Sequence, residues 1–177
     1  ARANAQVQFP ARFQLVAAMN PCPCGHAGDT RQPCRCKPEQ IRRYRDRLSG
    51  PLLDRIDMHV SVPALPQSDV LTPSAQGENS AAVRERVCAA RERQWTRAGK
   101  SNAALSTREV ETWCSLTDEQ RQLMAQAMEK LGLSARAYHR VLKVARTIAD
   151  LAGAENIESN HLLEAIQYRS LDRNVFY

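Results

Sequence analysis

From Ser80 onward the chain never leaves helical periodicity, and this narrows the available folds more than any other feature. Apolar side chains recur three and four residues apart through segments 80–98, 106–113, 117–131, 134–152 and 159–169. The breaks between them have the chemistry of helix ends. Thr117 and Gln120 have capping-box spacing, Gly132 and Gly153 stand where C-terminal glycines belong, and Ser134 can cap the helix that follows. Residues 80–177 are thus expected to form a complete all-α bundle of about a hundred residues. Within 134–152 the core stripe reads Tyr138, Val141, Leu142, Ala145, Ile148, Ala149 and Ala152. Arg136, Arg140 and Lys143 fall on another stripe, which begins at the helix N-terminus where the dipole favours an anion; an exposed cationic face is the plainer reading.

The first eighty residues are organised differently. Phe13–Met19 is a short apolar run stopped by Asn20-Pro21, the pattern of a strand buried on both faces. Ile56–Val62 alternates until Pro63 and predicts a second strand. Between them a helix is predicted over 38–48, with Pro38 in its first turn and Gly50-Pro51 past its end. Residues 63–79 hold Pro63, Pro66, Pro73 and Gly77 without apolar rhythm and read as a linker. The expected fold class is mainly α: an incomplete α/β part over 1–62, the linker 63–79, and the helical domain 80–177. Ala1 is no initiator methionine, and the opening reads as a cut through a longer protein.

Four cysteines cluster as C-x-C, nine intervening residues, C-x-C: Cys22, Cys24, Cys34 and Cys36. Two such hooks can give a Zn²⁺ ion four thiolates, and His26 is near enough to replace one; four reduced thiols in a loop are the alternative. Disulfides lack support without a secretory signal. Cys88 and Cys114 stand alone in helical segments and read as small buried apolar side chains. His59, His139 and His161 read as structural, and no nucleophile with its base is evident.

The net charge of +6 is concentrated: residues 31–55 carry eight basic side chains against Glu39, Asp46 and Asp54. Arg42, Arg43 and Arg45 lie within this patch, which suits nucleic acid or nucleotide phosphates, or forms a solvated face. No apolar run approaches the ~20 residues of a membrane span, so a cytoplasmic protein with no membrane partner is expected. The chain holds no G-x-x-x-x-G-K-[ST] phosphate loop and no apolar strand ending in paired acids for Mg²⁺, so alone it is not expected to hydrolyse ATP.

Three stretches together carry a resemblance: Phe9-Pro-Ala-Arg-Phe-Gln-Leu-Val-Ala-Ala-Met-Asn-Pro-Cys-Pro-Cys-Gly25, Leu48-Ser-Gly-Pro-Leu-Leu-Asp-Arg-Ile-Asp57, and 133–151 around Ser134-Ala-Arg-Ala-Tyr-His-Arg140. In this order they resemble the C-terminal half of the magnesium chelatase-like AAA+ ATPases of the YifB/ComM type, over essentially the whole chain. The cysteine insert favours that branch over a pigment-synthesis chelatase.

The resemblance implies roles. Asn20 would be the sensor-1 residue that orients the attacking water. Arg55 would be the arginine finger that reaches a neighbouring subunit's nucleotide. Arg136 would be the sensor-2 arginine of the helical lid, with Arg140 beside it at the nucleotide. ATP and Mg²⁺ would be the cofactors of the full-length protein, the assembly a homo-oligomer, a hexameric ring, and the task a DNA motor or branch-migration helicase. The alternatives are an ATPase subunit of a porphyrin-metallating chelatase and a zinc-dependent nucleic-acid-binding module. Without the combined motifs, Asn20 is a turn residue, Arg55 a partner of Asp54 or Asp57, and Arg136 a surface cation. The resemblance also separates the two expected strands by one that the chain lacks, so residues 1–78 are expected to be poorly ordered or packed unlike the parent fold.

Overall fold

The computed structural model describes residue 10, 13–29, 31–63, 65 and 77–169. The chain divides into two compact units, Ala1–Arg47 and Leu48–Tyr177. The boundary thus falls before the Leu48–Asp57 motif, which belongs with the helices. Most of the expected linker lies outside the described residues.

The first unit contains one helix, α1 (Pro38–Arg45), with Pro38 in its first turn and Gln40 Oε1 accepting from the Lys37 N–H at 2.9 Å. It stops short of the expected Leu48. No residue of α1 is buried, so nothing holds a further turn in place.

The second unit begins with a single turn, α2 (Gly50–Leu53), where the sequence suggested only punctuation. Pro51 presets the first-turn backbone and Ser49 Oγ accepts the Leu52 N–H at 3.3 Å, which suffices for one turn. Then follow α3 (Ser80–Ala98), a 3₁₀ turn (Asn102–Ala104), α4 (Thr107–Trp113), α5 (Asp118–Leu131), α6 (Ala135–Ala152) and α7 (Ser159–Gln167). The caps are those the sequence named: Thr117 and Gln120 close a capping box, Ser134 caps α6, and Gly132 and Gly153 adopt φ of 63° and 75°. Only glycine takes that left-handed conformation without strain.

Helix α6 is the hub, packed against α3, the 3₁₀ turn, α4 and α7, while α5 packs on α7. Its stripe Val141, Leu142, Ala145 and Ala149 is buried with Val110, Met124 and Leu162. Ala152, assigned to that stripe, is exposed; Ala137 is buried instead, and Tyr138 and Ile148 pack at the margin. The same face also carries two buried charges. Asp150 takes a forked pair of hydrogen bonds from Arg97, both 2.7 Å, and one from Asn102 at 2.8 Å, while Arg146 lies 3.1 Å away. Burial would raise the Asp150 carboxyl, but these donors and cations hold it below the usual range.

Neither expected strand forms: among the described residues there is no strand at all. Residues 13–19 take no regular structure and are exposed, Phe13 by 76% and Val16 by 84%, and in 56–62 Val60 and Val62 are exposed too. An apolar run of this kind becomes a strand when neighbours pair its backbone and cover both faces, and the described residues supply neither. Cys88, read as buried, is exposed, whereas Cys114 is buried and its thiol is pushed up to about 11, chiefly by that burial. Among the described residues no helix is long and apolar enough to cross a membrane.

Candidate functional site

In the first unit Pro21 and Pro23 flank Cys22, and the Cys22 carbonyl accepts from the Gly25 N–H at 3.0 Å. Gly25, with φ of 85°, reverses the chain there; a second turn, closed by Asp29 N–H to His26 O at 3.1 Å, sends it back toward Cys34. All four Sγ atoms of Cys22, Cys24, Cys34 and Cys36 consequently lie within 4.8 Å of one another. Cys22 Sγ is 3.4 Å from Cys24 Sγ and 3.6 Å from Cys34 Sγ, far beyond a disulfide bond and near the roughly 3.8 Å edge of a ZnS₄ tetrahedron. His26 is not among this group; its Nδ1 lies 3.6 Å from Asp29.

Backbone N–H groups aim at the sulfurs. The N–H of Ala27 points to Cys22 Sγ at 3.3 Å. Those of His26 and Arg35 bring the Cys24 thiol down to about 5. Cys22 is lowered as well: burial opposes ionisation, but the hydrogen bonds to its sulfur prevail. The other two go the opposite way. Burial and the neighbouring thiols push Cys36 up to about 12; at Cys34 the Cys36 N–H favours the thiolate, but burial and the thiols of Cys22 and Cys24 outweigh it. Four sulfurs this close cannot all ionise without a cation among them, and the donor set fits a soft divalent ion.

Arg42 and Arg43 are exposed on α1, whereas Arg45 donates to the Pro21 carbonyl at 3.2 Å and ties the helix to the cysteine loop. Asn20 is exposed, and a β-carbon at Gly25 would lie 3.9 Å from its Nδ2.

In the second unit Arg55 is exposed just beyond α2, its Nη1 donating to the Pro51 carbonyl at 2.8 Å. The neighbouring acids that could have neutralised it are engaged elsewhere: Asp54 accepts from Ser134 Oγ at 2.9 Å and Asp57 pairs with Arg140. Of the ridge on α6, Arg140 is thereby occupied, and Lys143 donates to the Leu105 carbonyl at 2.6 Å and the Ala103 carbonyl at 3.1 Å. Burial accordingly lowers the Lys143 ammonium. Arg136, in the first turn of α6, is exposed, with no hydrogen-bond or ion-pair partner among the described residues. The structure thus keeps Arg55 and Arg136 in one unit, and Asn20 and the cysteines in the other.

Sequence reasoning missed Asp54, Ser134 and Arg169 as a group. Arg169 has a fully buried side chain, donates to the Ile56 carbonyl and lies 3.8 Å from Asp54. Nothing in its spacing marks a residue 113 positions away as its partner.

A family model described as magnesium chelatase, subunit ChlI C-terminal, matches residues 77–169, and one described as magnesium chelatase, subunit ChlI, matches residues 1–70. The chain is 55% identical over 172 residues to competence protein ComM of Haemophilus influenzae, covering 97% of this chain and 33% of that protein. It is 48% identical over 172 residues to YifB of Escherichia coli, covering 97% and 34% respectively. A Mycobacterium tuberculosis protein, Rv2897c, is 36% identical over 173 residues, covering 96% and 34%. The chain therefore spans about a third of the length of these relatives.

Proposed function

The chain belongs to the magnesium chelatase family, and from that membership we propose that it carries the hydrolysis-coupling residues of an AAA+ ATPase working as an oligomeric ring, a hexameric motor on DNA. The observation that supports this most is Arg55, exposed on a short turn whose two flanking acids are both committed elsewhere. A cation left unneutralised at a surface suits an anionic group brought to it from outside.

Bound ATP with Mg²⁺ supplies the phosphoryl group and part of the charge compensation when the whole protein is assembled. The residues of this chain have narrower tasks. The Asn20 amide orients the attacking water. The guanidinium of Arg55, presented across a subunit boundary, stabilises the charge that spreads over the equatorial oxygens in the transition state. Arg136, at a helix N-terminus whose dipole also favours an anion, contacts phosphate and couples the nucleotide to the helical unit. Arg140 gives its charge to Asp57 and supports this arrangement indirectly.

In the whole protein Arg55→Ala should retain ATP binding and lower kcat for hydrolysis by about 10³-fold or more. Hydrolysis at the parental rate would sink the reading. Similarity to a competence protein supports DNA rather than a porphyrin as the partner; stimulation of hydrolysis by DNA decides between them.

The cysteine cluster and the exposed Arg42 and Arg43 favour a second, compatible role, a zinc-stabilised contact to nucleic acid. It requires stoichiometric zinc and DNA binding whose salt dependence weakens in the Arg42→Ala, Arg43→Ala double variant.

A further inference from the structure

The turn bearing Arg55 is held at four points. Asp54 Oδ2 accepts from Ser134 Oγ at 2.9 Å, the Ile56 carbonyl accepts from Arg169, Asp57 pairs with Arg140, and the His59 N–H donates to the Tyr168 carbonyl at 2.7 Å. Residues 54 and 56, on either side of Arg55, are therefore both fixed. Their partners are the N-cap of α6, the second turn of the same helix, and the chain just after α7.

Two of these contacts are chemically demanding. Ser134 is the N-cap of α6, and its hydroxyl accepts the Ala137 N–H at 3.1 Å while donating its own proton to Asp54. One hydroxyl thus caps the start of the helix and carries the turn, with the carboxylate at the N-terminal end of α6 where the dipole welcomes it. Arg169 has a fully buried side chain whose Nη1 donates to the Ile56 carbonyl while its Nη2 lies at ion-pair distance, 3.8 Å, from the Asp54 carboxylate.

Resting on the reading of Arg55 as the residue that meets a neighbour's phosphate, we propose that Asp54, Asp57, Ser134, Arg140 and Arg169 are positioning residues that rivet the Arg55 turn to α6, so that Arg55 and Arg136 move as one body. Any tilt of the helical unit then moves both arginines together. Arg140 in this arrangement is a strut for Arg55 and not a phosphate ligand. Position matters because a misplacement of about 1 Å in a group acting on the transition state costs on the order of 10²-fold in rate.

The test is a charge swap in the whole protein, measured beside Arg55→Ala. Asp57 and Arg140 are the pair to use, because Asp57 is 56% exposed and Arg140 28%, so neither change empties a core. Asp57→Arg should lower kcat for ATP hydrolysis about 100-fold with KM for ATP unchanged. The double variant Asp57→Arg, Arg140→Asp should recover most of that loss. Amide exchange on the same proteins should show the Ile56 to His59 backbone deprotected in the single variant and protected again in the swap. If Arg55→Ala abolishes hydrolysis but Asp57→Arg does not lower kcat, or the swap recovers nothing, the rivet is overturned while the role of Arg55 stands. If Arg55→Ala hydrolyses ATP normally, the reading beneath the proposal falls and the proposal with it. An unprotected 56–59 backbone in the parent protein overturns the rivet whatever the rates show.

Discussion

The two units of this chain hold their shapes by different physics. Leu48–Tyr177 buries Val110, Met124, Val141, Leu142 and Leu162 around a central helix, and its caps, core and buried charges all specify the same packing. In Ala1–Arg47 the only buried residue among those described is Cys22. Small units whose apolar core is slight are commonly stabilised by a covalent or metal staple, and four sulfurs converging within 4.8 Å offer the site for one. The helical unit is held by an apolar core; the cysteine unit offers in its place a set of four sulfurs with the chemistry of a metal site.

A test for metal at the four sulfurs is the strongest way to break that comparison. Structural zinc contributes roughly 10–16 kcal/mol to the folding of small metallo-domains. Stripping the metal with a chelator, or Cys22→Ser, should abolish amide protection over 22–36 and release one zinc per chain. Protection in α5, α6 and α7 should not change. Retained protection in the stripped loop would mean that the turn hydrogen bonds of Gly25 and Asp29 suffice and that the cysteines are only crowded thiols.

The next largest effect belongs to the helical unit alone. Asp150→Ala leaves Arg97 and Arg146 without their shared carboxylate, and unpairing a buried ion group costs about 3–5 kcal/mol. Urea unfolding followed at α6 should shift accordingly while zinc content stays constant. A shift below about 1 kcal/mol would show that the network is incidental to the packing.

The same contrast explains what the sequence could reveal. Helices α3 to α7 were legible because their bounds are written locally, in Thr117, Gly132, Ser134, Gly153 and the spacing of Val141, Ala145 and Ala149. Such signals reach only three or four residues, the range of helical contacts. The four cysteines were legible as a set because their side chains have few other uses together. The expected strands 13–19 and 56–62 were not settled by their apolar residues, since pairing depends on neighbours far along the chain. Long-range polar contacts were illegible for the same reason: Asp54 to Ser134 spans 80 positions, and the ridge Arg136, Arg140, Lys143 looked uniform although its members have three different fates. Asp150 was missed because a charge on a core stripe contradicts the pattern until Arg97 is placed beside it.

Acid gives the smallest effect and the sharpest contrast of charge chemistry within the helical unit. Glu109 is held at about 2, first by the Lys100 ammonium at 2.8 Å and then by the N–H and hydroxyl of Ser106. Its pKa in the unfolded chain is about 4.3. A carboxyl lowered on folding contributes stability that is fully present above the unfolded value and is lost as the pH falls toward the folded one. The window therefore runs from about pH 4.3 down to about pH 2, and the lowered Asp150 adds loss in the same direction. Glu109→Gln isolates the first contribution, because glutamine can still accept the Ser106 N–H and complete the capping box but carries no charge for Lys100. The variant should be slightly less stable at pH 7 and should lose less Tm between pH 5 and pH 3 than the parent. Parallel Tm curves for the two proteins would mean that the exposed Lys100 pair contributes nothing, and that the acid sensitivity of this unit resides in its other lowered carboxyls, Asp150 and Glu78 among them.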